Sequence, residues 1–382
     1  MTFNTNAKAA LGGIALAAFG ATAAGADELT FAIGHPPGSY LITGGEAFAE
    51  TVAAETGGSL TAKVFPMSLL SMAETSAGLR EGMADMGTVM STYFTAEFPH
   101  TNMILDSSMM LGDMGPEAAA VAGLAYAPAM AEFIMTKCPE CSAEFAAENQ
   151  VYTGAAGTPG YALNCTKPVV TLEDLSGARL RIGGANWARW SEAVGATPVT
   201  MSGNEMLEAL AQGVLDCIIL SVPDVQNFGM GESVKHITMG APGGVYVASL
   251  TNMNLDTWNG LSEEERRAVM KGAAEASAIS TWAYQAGEES VLSKVAAEGV
   301  TVHQADPAVL AKTAEFAAAD REALVALYAE KGVSRAEEML ADFEQLLEKW
   351  VGLTQGVADA EELADLYWTE LYSKIDVAAH GS

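Results

Sequence analysis

Hydrophobic and polar positions near the start of the chain predict strands and helices in alternation. Residues 29–33 and 60–65 have the length and composition of strands. Between them, residues 45–56 repeat apolar positions at helical spacing and end at a Gly-Gly pair. A second helix over residues 73–81 precedes a strand over 85–90. This order predicts parallel strands with helices on both faces.

The same alternation returns from residue 178. Short strands are predicted at 180–182, 198–200 and 214–222, with helices over 187–194 and 204–212 between them. Two such units, separated by about a hundred residues along the chain, predict two α/β lobes instead of one continuous sheet.

The rest of the chain has a helical pattern. Residues 262–298 open with a capping box and contain no proline, which predicts one helix long enough to lie along both lobes. Kinks at Gly272 or Gly287 would instead divide it into two shorter helices. Three more helices are predicted at 308–330, 334–351 and 359–373. The last carries an apolar stripe that either packs on the protein's own body or forms a dimer contact: Leu363, Leu366, Tyr367 and Leu371.

The charge of the chain narrows the choice of partner. Among 382 residues, 48 are acidic and 19 basic, for a formal charge of −29. Such a chain lacks the cationic surface that nucleic acid or an anionic membrane requires. Half of the residues are hydrophobic, so the chain can build a core.

The first 26 residues resemble a secretory signal. Lys8 precedes an apolar run over residues 9–19, and Ala24-Gly25-Ala26 is a small-residue cleavage site that would release a chain beginning at Asp27. We therefore expect a secreted protein, with an uncleaved anchor as the alternative. No later segment is apolar enough over about eighteen residues to span a bilayer.

Four cysteines follow, Cys138, Cys141, Cys165 and Cys217. In an oxidising compartment an even number predicts disulfides, although the spacing of the first two also allows a zinc or a redox site. Enzyme motifs are missing: the sequence has no G-x-S-x-G, no H-E-x-x-H and no P-loop. We therefore predict no enzyme, no catalytic residue, no metal and no cofactor.

One cluster of arginines stands out in so acidic a chain. Arg179, Arg181 and Arg189 lie within eleven residues, and a Gly-Gly pair follows Arg181 at the end of its predicted strand. An arginine in that position can bind a carboxylate or sulfonate. Salt bridges to Glu173 or Asp174 are the alternative.

Several motifs, in order and spacing, resemble the solute-binding proteins of tripartite ATP-independent periplasmic (TRAP) transporters, the DctP-type receptors. The resemblance covers about residues 28 to 300. The matching segments are GHPPGS at 34–39, ETGG at 55–58, VFP at 64–66, LREGMADM at 79–86, DLSGARLR at 174–181, VGATPV at 194–199 and EMLEALAQGVLD at 205–216.

The resemblance implies an α/β fold of the type II periplasmic-binding-protein kind, with two lobes, a ligand cleft and a long bracing helix. On that basis we place lobe 1 at residues 27–153 and 241–300, lobe 2 at 154–240, and a helical C-terminal region at 301–382 that packs across the lobes. Hinge motion is expected at Gly157, Gly160 and Gly243.

The resemblance also implies a ligand site in the cleft. Arg181 corresponds to the arginine that clamps a carboxylate in the family, and His35, Ser39 and Tyr40 are further predicted contacts. Leu220 stands about where many members carry a polar or aromatic ligand residue, so we expect an apolar wall there, with Trp187 facing it and a partly hydrophobic ligand between. This departure argues against a cation-assisted site.

The function these features imply is a periplasmic receptor that captures a small organic anion and delivers it to the membrane permease of a TRAP transporter. The protein is expected to be a monomer, or a homodimer through its C-terminal helices. A secreted enzyme acting on small organic acids and a chemosensory ligand-binding module are the alternatives.

Overall fold

In the computed structural model, which describes residues 1–2 and 27–381, the chain builds two mixed β-sheets with helices packed on them. The strands are β1 (Asp27–Ile33), β2 (Leu60–Pro66), β3 (Met86–Val89), β4 (Gln150–Val151), β5 (Ala155–Gly157), β6 (Ala162–Cys165), β7 (Arg179–Ile182), β8 (Thr197–Thr200), β9 (Cys217–Leu220), β10 (His236–Pro242), β11 (Val247–Asn254) and β12 (Thr301–Gln304).

The α-helices lie on both faces of the sheets and at the C-terminal end. They are α1 (Tyr40–Glu55), α2 (Thr75–Arg80), α3 (Pro99–Asp106), α4 (Pro116–Ala120), α5 (Ala122–Thr136), α6 (Pro139–Ala147), α7 (Leu172–Leu175), α8 (Ala185–Ala193), α9 (Met206–Ala211), α10 (Pro223–Asn227), α11 (Leu255–Gly260), α12 (Glu263–Ala297), α13 (Pro307–Glu330), α14 (Ala336–Thr354) and α15 (Ala360–Glu370).

The first sheet has the order β2-β1-β3-β11-β4, with β5 also paired to β11. Strand β1 is parallel to β2 and β3, whereas β11 is antiparallel to its three neighbours. We call the part of the chain built on this sheet, residues 27–157 and 247–260, the first lobe.

The second sheet has the order β12-β10-β6-β9-β7-β8. Strands β7, β8 and β9 are parallel, and β6 is antiparallel to both β9 and β10. We call residues 162–242 and 301–304 the second lobe. Helix α8 joins β7 to β8, as the alternating pattern predicts.

Three short segments lie in a different sheet from the one the predicted boundaries imply. Strand β5 belongs to the first sheet although residue 154 onward was assigned to lobe 2, and β10 continues in the second sheet to Pro242. Residues 301–304 form β12 of the second sheet and not the start of a helical region. Strands of three or four residues have too little periodicity for the sequence to assign them to a sheet.

The long helix is continuous. Helix α12 spans 35 residues, and the capping box between Ser262 and Glu265 is formed in both directions. It contacts the first lobe through Ser280, which donates to the Tyr40 carbonyl, and the second lobe through Lys294, which donates to Gln226. The helix runs unbroken through Gly272, where a Cβ would lie 3.0 Å from the Phe48 side chain on α1. Glycine at this position lets the two helices pack closely.

The C-terminal helices pack on the body of the protein. Leu363, Tyr367 and Leu371 of the predicted apolar stripe are buried, and the Tyr367 hydroxyl donates to the Leu124 carbonyl in the first lobe. Of the two alternatives for the stripe, the structure shows packing on the protein's own body. In the described part of the chain, no helix combines the length and apolar character needed to cross a membrane.

Besides the segment that contains α12, two short connections link the lobes, residues 158–161 and 243–246, and they are hydrogen-bonded to each other. Thr158 N donates to Tyr246 O at 3.0 Å, and Tyr161 N donates to Gly244 O at 2.9 Å. Of the predicted hinge glycines, Gly160 and Gly243 lie in these connections, and Gly243 has a φ of 74° that favours glycine. Gly157 lies in β5, where it packs closely against Gly123.

Candidate ligand-binding site

A pocket lies between the lobes, beside the two connections. An interlobe position of this kind is typical of small-molecule sites. Most of its wall is apolar or aromatic, with a few polar groups facing inward. The lining residues are His35, Leu41, Met72, Met90, Tyr93, Ala156, Thr158, Tyr161, Arg181, Gly183, Gly203, Met206, Leu220, Asp224, Phe228, Tyr246, Ala248 and Tyr284.

Arg181 is the cation in this wall. It is the third residue of β7, and only 3% of its surface is exposed. Its Nε and Nη2 donate to the Met201 carbonyl at 3.2 and 3.0 Å, and Nη2 also donates to the Tyr93 hydroxyl at 2.9 Å. Within the described residues Nη1 has no hydrogen-bond partner, so this nitrogen is the donor left for a ligand.

Tyr93 brings a second donor to the same place from the opposite lobe. Its hydroxyl accepts from Arg181 Nη2 and from Gly203 N, both at 2.9 Å. Because both bonds use the oxygen as acceptor, the hydroxyl proton remains available to a ligand. Beside it, the Thr92 hydroxyl donates to the Gly183 carbonyl at 2.6 Å. The lobes therefore touch across the cavity.

Asp224 is a buried carboxylate in the same cavity. It belongs to α10, and it accepts hydrogen bonds from Ser221 Oγ at 2.6 Å, Asn227 Nδ2 at 3.0 Å and Tyr284 Oη at 2.8 Å. Burial raises the pKa of Asp224, while these three bonds and the charge of Arg181 act in the opposite direction. The cavity thus contains one cation and one acidic group.

His35 also faces the cavity, between β1 and α1. It is buried, its ring lies 5.6 Å from that of Phe228, and its Nδ1 has no hydrogen-bond partner in the described residues. Burial lowers the pKa of His35 to about 3, so the imidazole is neutral at pH 7.

Of the six predicted ligand contacts, Arg181, His35 and Leu220 line the cavity, and Leu220 is part of its apolar wall. Ser39 lies at the N-terminal end of α1, and its buried hydroxyl has no partner in the described residues. Tyr40 packs edge-on against Tyr284 at 5.2 Å between ring centres, directed toward α12. Neither residue is among those that line the cavity.

Trp187 lies behind the cavity wall, which corrects the expectation that it faces Leu220. Its ring stacks on Tyr161 at 4.4 Å between centres, and its Nε1 donates to the Gly243 carbonyl at 2.9 Å. The indole therefore packs against the interlobe connections, and Tyr161 presents its own ring to the cavity in its place.

Arg179 and Arg189 have partners other than those considered from the sequence. Arg179 pairs with Asp216, with Nε 3.0 Å from Oδ2, on the surface of the second lobe. Asp174 instead caps α7 through its bonds with Thr171. Arg189 binds Asp320 of α13 with two hydrogen bonds of 2.7 Å. Asp216 and Asp320 are distant in sequence from these arginines, so local spacing did not indicate the pairs.

Sequence reasoning missed the acidic and tyrosine groups of the cavity. Tyr93, Tyr161, Tyr246 and Tyr284 belong to no motif, and they come from four separate segments. Asp224 follows Pro223 at the start of a short helix, which signals only a helix start.

The cysteines form two disulfides away from the cavity. Cys138 is bonded to Cys141, and Cys165 of β6 is bonded to Cys217 of the neighbouring strand β9. No group of three or more His, Cys, Asp or Glu side chains in the described residues is arranged to hold a metal ion.

A model of one protein family matches the central part of the chain. Residues 149–329 match the DctP family, bacterial extracellular solute-binding protein, family 7. The central part of the chain is therefore similar to this family. The resemblance drawn from the motifs is confirmed, and the DctP family is one of solute-binding receptors, not of enzymes.

Solved structures of TRAP solute-binding proteins have the same fold, which confirms the predicted α/β class of the type II periplasmic-binding-protein kind. A Bordetella pertussis extracytoplasmic solute receptor binding pyroglutamic acid is 21% identical, with a TM-score of 0.68, over 84% of this chain and 100% of that one. A Bordetella bronchiseptica protein with bound (R)- and (S)-mandelate is 21% identical, with a TM-score of 0.69, over 84% and 99%. A Pseudomonas putida protein with bound D-glucuronate is 21% identical, with a TM-score of 0.67, over 82% and 97%.

Proposed function

We propose that this protein is a periplasmic receptor that binds a small organic anion between its lobes and delivers it to the permease of a TRAP transporter. The observation that carries the proposal is the pair of donors formed by Arg181 Nη1 and the Tyr93 hydroxyl at the cavity wall. A carboxylate placed against them would accept one bond from each lobe, so binding would favour the closed arrangement.

Arg181 is suited to this role by its preorganisation. Nε and Nη2 are bound to the Met201 carbonyl, which holds the guanidinium plane and leaves Nη1 without a partner in the described residues. Lysine has one ammonium and could not bond Met201, Tyr93 and a ligand in the same geometry. The relatives with pyroglutamate, mandelate and glucuronate support small carboxylates as the ligand class.

Calorimetric affinity for pyroglutamate, mandelate and glucuronate tests the proposal, after a thermal-shift screen selects the anion that binds. Arg181→Ala should weaken that anion by 100-fold or more, because removing one partner of a buried ion pair costs about 3–5 kcal/mol. Arg181→Lys should restore little of the affinity. Arg179→Ala is the matched control, since its guanidinium is bound to Asp216 on the surface.

Each variant must still unfold cooperatively for the comparison to count. A folded Arg181→Ala that binds within threefold of the parent would show the assignment to be wrong, as would a loss of affinity in Arg179→Ala alone. The anion should also be recovered unchanged after incubation, because turnover would favour a secreted enzyme instead.

Location and lobe closure are part of the same proposal. The predicted signal lies largely outside the described residues, and we expect N-terminal sequencing of the exported protein to begin at Asp27; a start at Met1 would contradict secretion by cleavage. Lobe closure about residues 158–161 and 243–246 should reduce the radius of gyration when the ligand is added, and identical scattering curves would contradict it.

A further inference from the structure

Asp224 has no direct ionic partner, although it is almost fully buried. The described residues place no lysine, arginine or histidine nitrogen within salt-bridge distance of its carboxylate, and its three hydrogen bonds come from neutral side chains. An unpaired buried acid is costly, and such groups are concentrated at functional sites. Because Asp224 lines the cavity, its carboxylate can contact a bound ligand.

The hydrogen bonds of Asp224 also leave room for another donor. Oδ1 accepts from Asn227 and Tyr284, whereas Oδ2 accepts only from Ser221 in the described part of the chain. A carboxylate oxygen has two lone pairs, so Oδ2 can accept once more. The three neutral donors fix the orientation of the carboxylate, as second-layer contacts do for binding groups.

Arg181 and Asp224 therefore give one cavity two poles of opposite charge. The wall also contains apolar side chains, among them Met72, Met206, Leu220 and Phe228. A ligand with only an anionic group would satisfy Arg181 and bring its negative charge into a cavity that already holds an acid. A ligand with a second group that donates a hydrogen bond would satisfy both.

We propose that the ligand has a carboxylate or similar anion for Arg181 and a hydrogen-bond donor for Asp224, and that Asp224 selects such dipolar ligands over plain carboxylates. The donor is an ammonium, an amide N–H or a hydroxyl. This inference rests on the proposed anion-binding function and adds the chemical class of the second group.

Selectivity of this kind is large when the site is built to bond the missing group. A buried acceptor left without its donor discriminates strongly against the incomplete ligand, by factors that reach about 10⁴ in well-built sites. We expect at least tenfold here.

Matched ligand pairs test the inference on the wild-type protein first. Each pair differs in one donor group: mandelate or phenylglycine against phenylacetate, pyroglutamate against 3-oxocyclopentanecarboxylate, and 4-aminobutyrate against butanoate. At least one dipolar member should bind at least tenfold more tightly than its plain partner by calorimetry. The member of the series that binds best then distinguishes a hydroxyl, an amide and an ammonium as the donor.

Asp224→Asn provides the second readout. It keeps the shape of the side chain and removes its negative charge, so the preference within a pair should fall to within threefold, and the plain carboxylate should bind several-fold more tightly than it does to the parent. A merely structural role for Asp224 predicts weaker binding of both members. Cooperative unfolding of the variant is checked first, and the wild-type pairs decide the matter if it does not fold.

The outcomes separate this inference from the proposed function. If every plain carboxylate binds the wild type within threefold of its dipolar partner, or if the preference persists in Asp224→Asn, the role of Asp224 is wrong while anion binding stands. If no anion of the panel binds, or if Arg181→Ala binds as well as the parent, the proposed function fails and this inference fails with it.

Discussion

The Tyr93 hydroxyl of the first lobe accepts a hydrogen bond of 2.9 Å from Nη2 of Arg181 in the second lobe. The two residues are 88 positions apart in the sequence, and they belong to different lobes. Their contact joins the lobes at the cavity wall. In the proposed function, ligand binding and lobe closure would share this pair of side chains.

Removing the Tyr93 hydroxyl should weaken ligand binding while leaving the fold intact. Tyr93→Phe loses one donor to the ligand and one acceptor for Arg181, and a hydrogen bond to a charged group contributes about 1.5–3 kcal/mol. We expect the affinity for the bound anion to fall about 10- to 100-fold in calorimetry. Tyr367→Phe is the control, because its hydroxyl bonds the Leu124 carbonyl away from the cavity. Equal affinities for Tyr93→Phe and the parent would refute this role.

The sequence predicted those parts of the molecule that depend on local pattern. The capping box at Ser262 and the proline-free run after it predicted α12 almost to the residue. Arg181 could be proposed because a strand end beside two glycines is a local feature. The apolar wall at Leu220 could be proposed only through the family resemblance.

Features that depend on tertiary packing could not be predicted. Tyr93 and Tyr284 reach the cavity from elements distant in the sequence, and nothing in their own segments marks them. The family resemblance suggests Trp187 across the cleft from Leu220, but α8 places its indole against the Gly243 carbonyl behind the cavity wall. Whether a side chain lines a cavity or lies one layer behind it depends on helix orientation, which one sequence does not specify.

His35 should make the unliganded protein less stable as the pH falls from neutral. The pKa of His35 is about 3 in the folded protein and 6.5 in the unfolded chain. At pH values between these two, the unfolded chain binds a proton that the folded protein does not. The contribution of His35 to the unfolding free energy is present above pH 6.5 and decreases by about 1.4 kcal/mol per pH unit below it.

Urea unfolding of the parent and of His35→Gln at pH 7 and pH 5 measures this effect. The stability of the parent relative to the variant should fall by about 2 kcal/mol between the two pH values. Comparing the two proteins cancels the titration of other groups. Parallel pH profiles would mean that His35 is protonated equally in both states.

The two disulfides should contribute unequally to stability. Cys165 and Cys217 are 52 positions apart and join neighbouring strands, whereas Cys138 and Cys141 are only 3 apart. In the loop-entropy account, the longer loop is worth roughly 4 kcal/mol and the shorter one roughly 2 kcal/mol. Paired Cys→Ala variants of each bridge, compared by urea unfolding, should show the larger loss for Cys165 and Cys217. A larger loss for the short bridge would contradict that account.

A buried ion network between the lobes and α13 should contribute far more to the unfolding free energy than an exposed surface ion pair does. Arg189 binds both oxygens of Asp320 at 2.7 Å and approaches Asp106 at 3.4 Å, and Asp106 and Asp320 are buried. Arg321, the residue after Asp320 in the sequence, binds Glu344 at 2.7 and 3.0 Å. Its side chain is 45% exposed. The two arginines thus differ in burial and in the second carboxylate, Asp106, that Arg189 approaches.

Arg189→Leu leaves two buried carboxylates without their cation, so we expect it to lower the unfolding free energy by about 3–5 kcal/mol. Arg321→Leu should cost about 0–1 kcal/mol, because water and salt screen the exposed pair. Adding Asp320→Leu to Arg189→Leu should recover part of the loss, since one unpaired carboxylate is then removed together with its partner. Urea unfolding of the three variants checks this order. Equal losses for the two arginines would mean that burial does not determine the strength of these pairs, and no recovery in the double variant would mean that Arg189 acts through packing instead of charge.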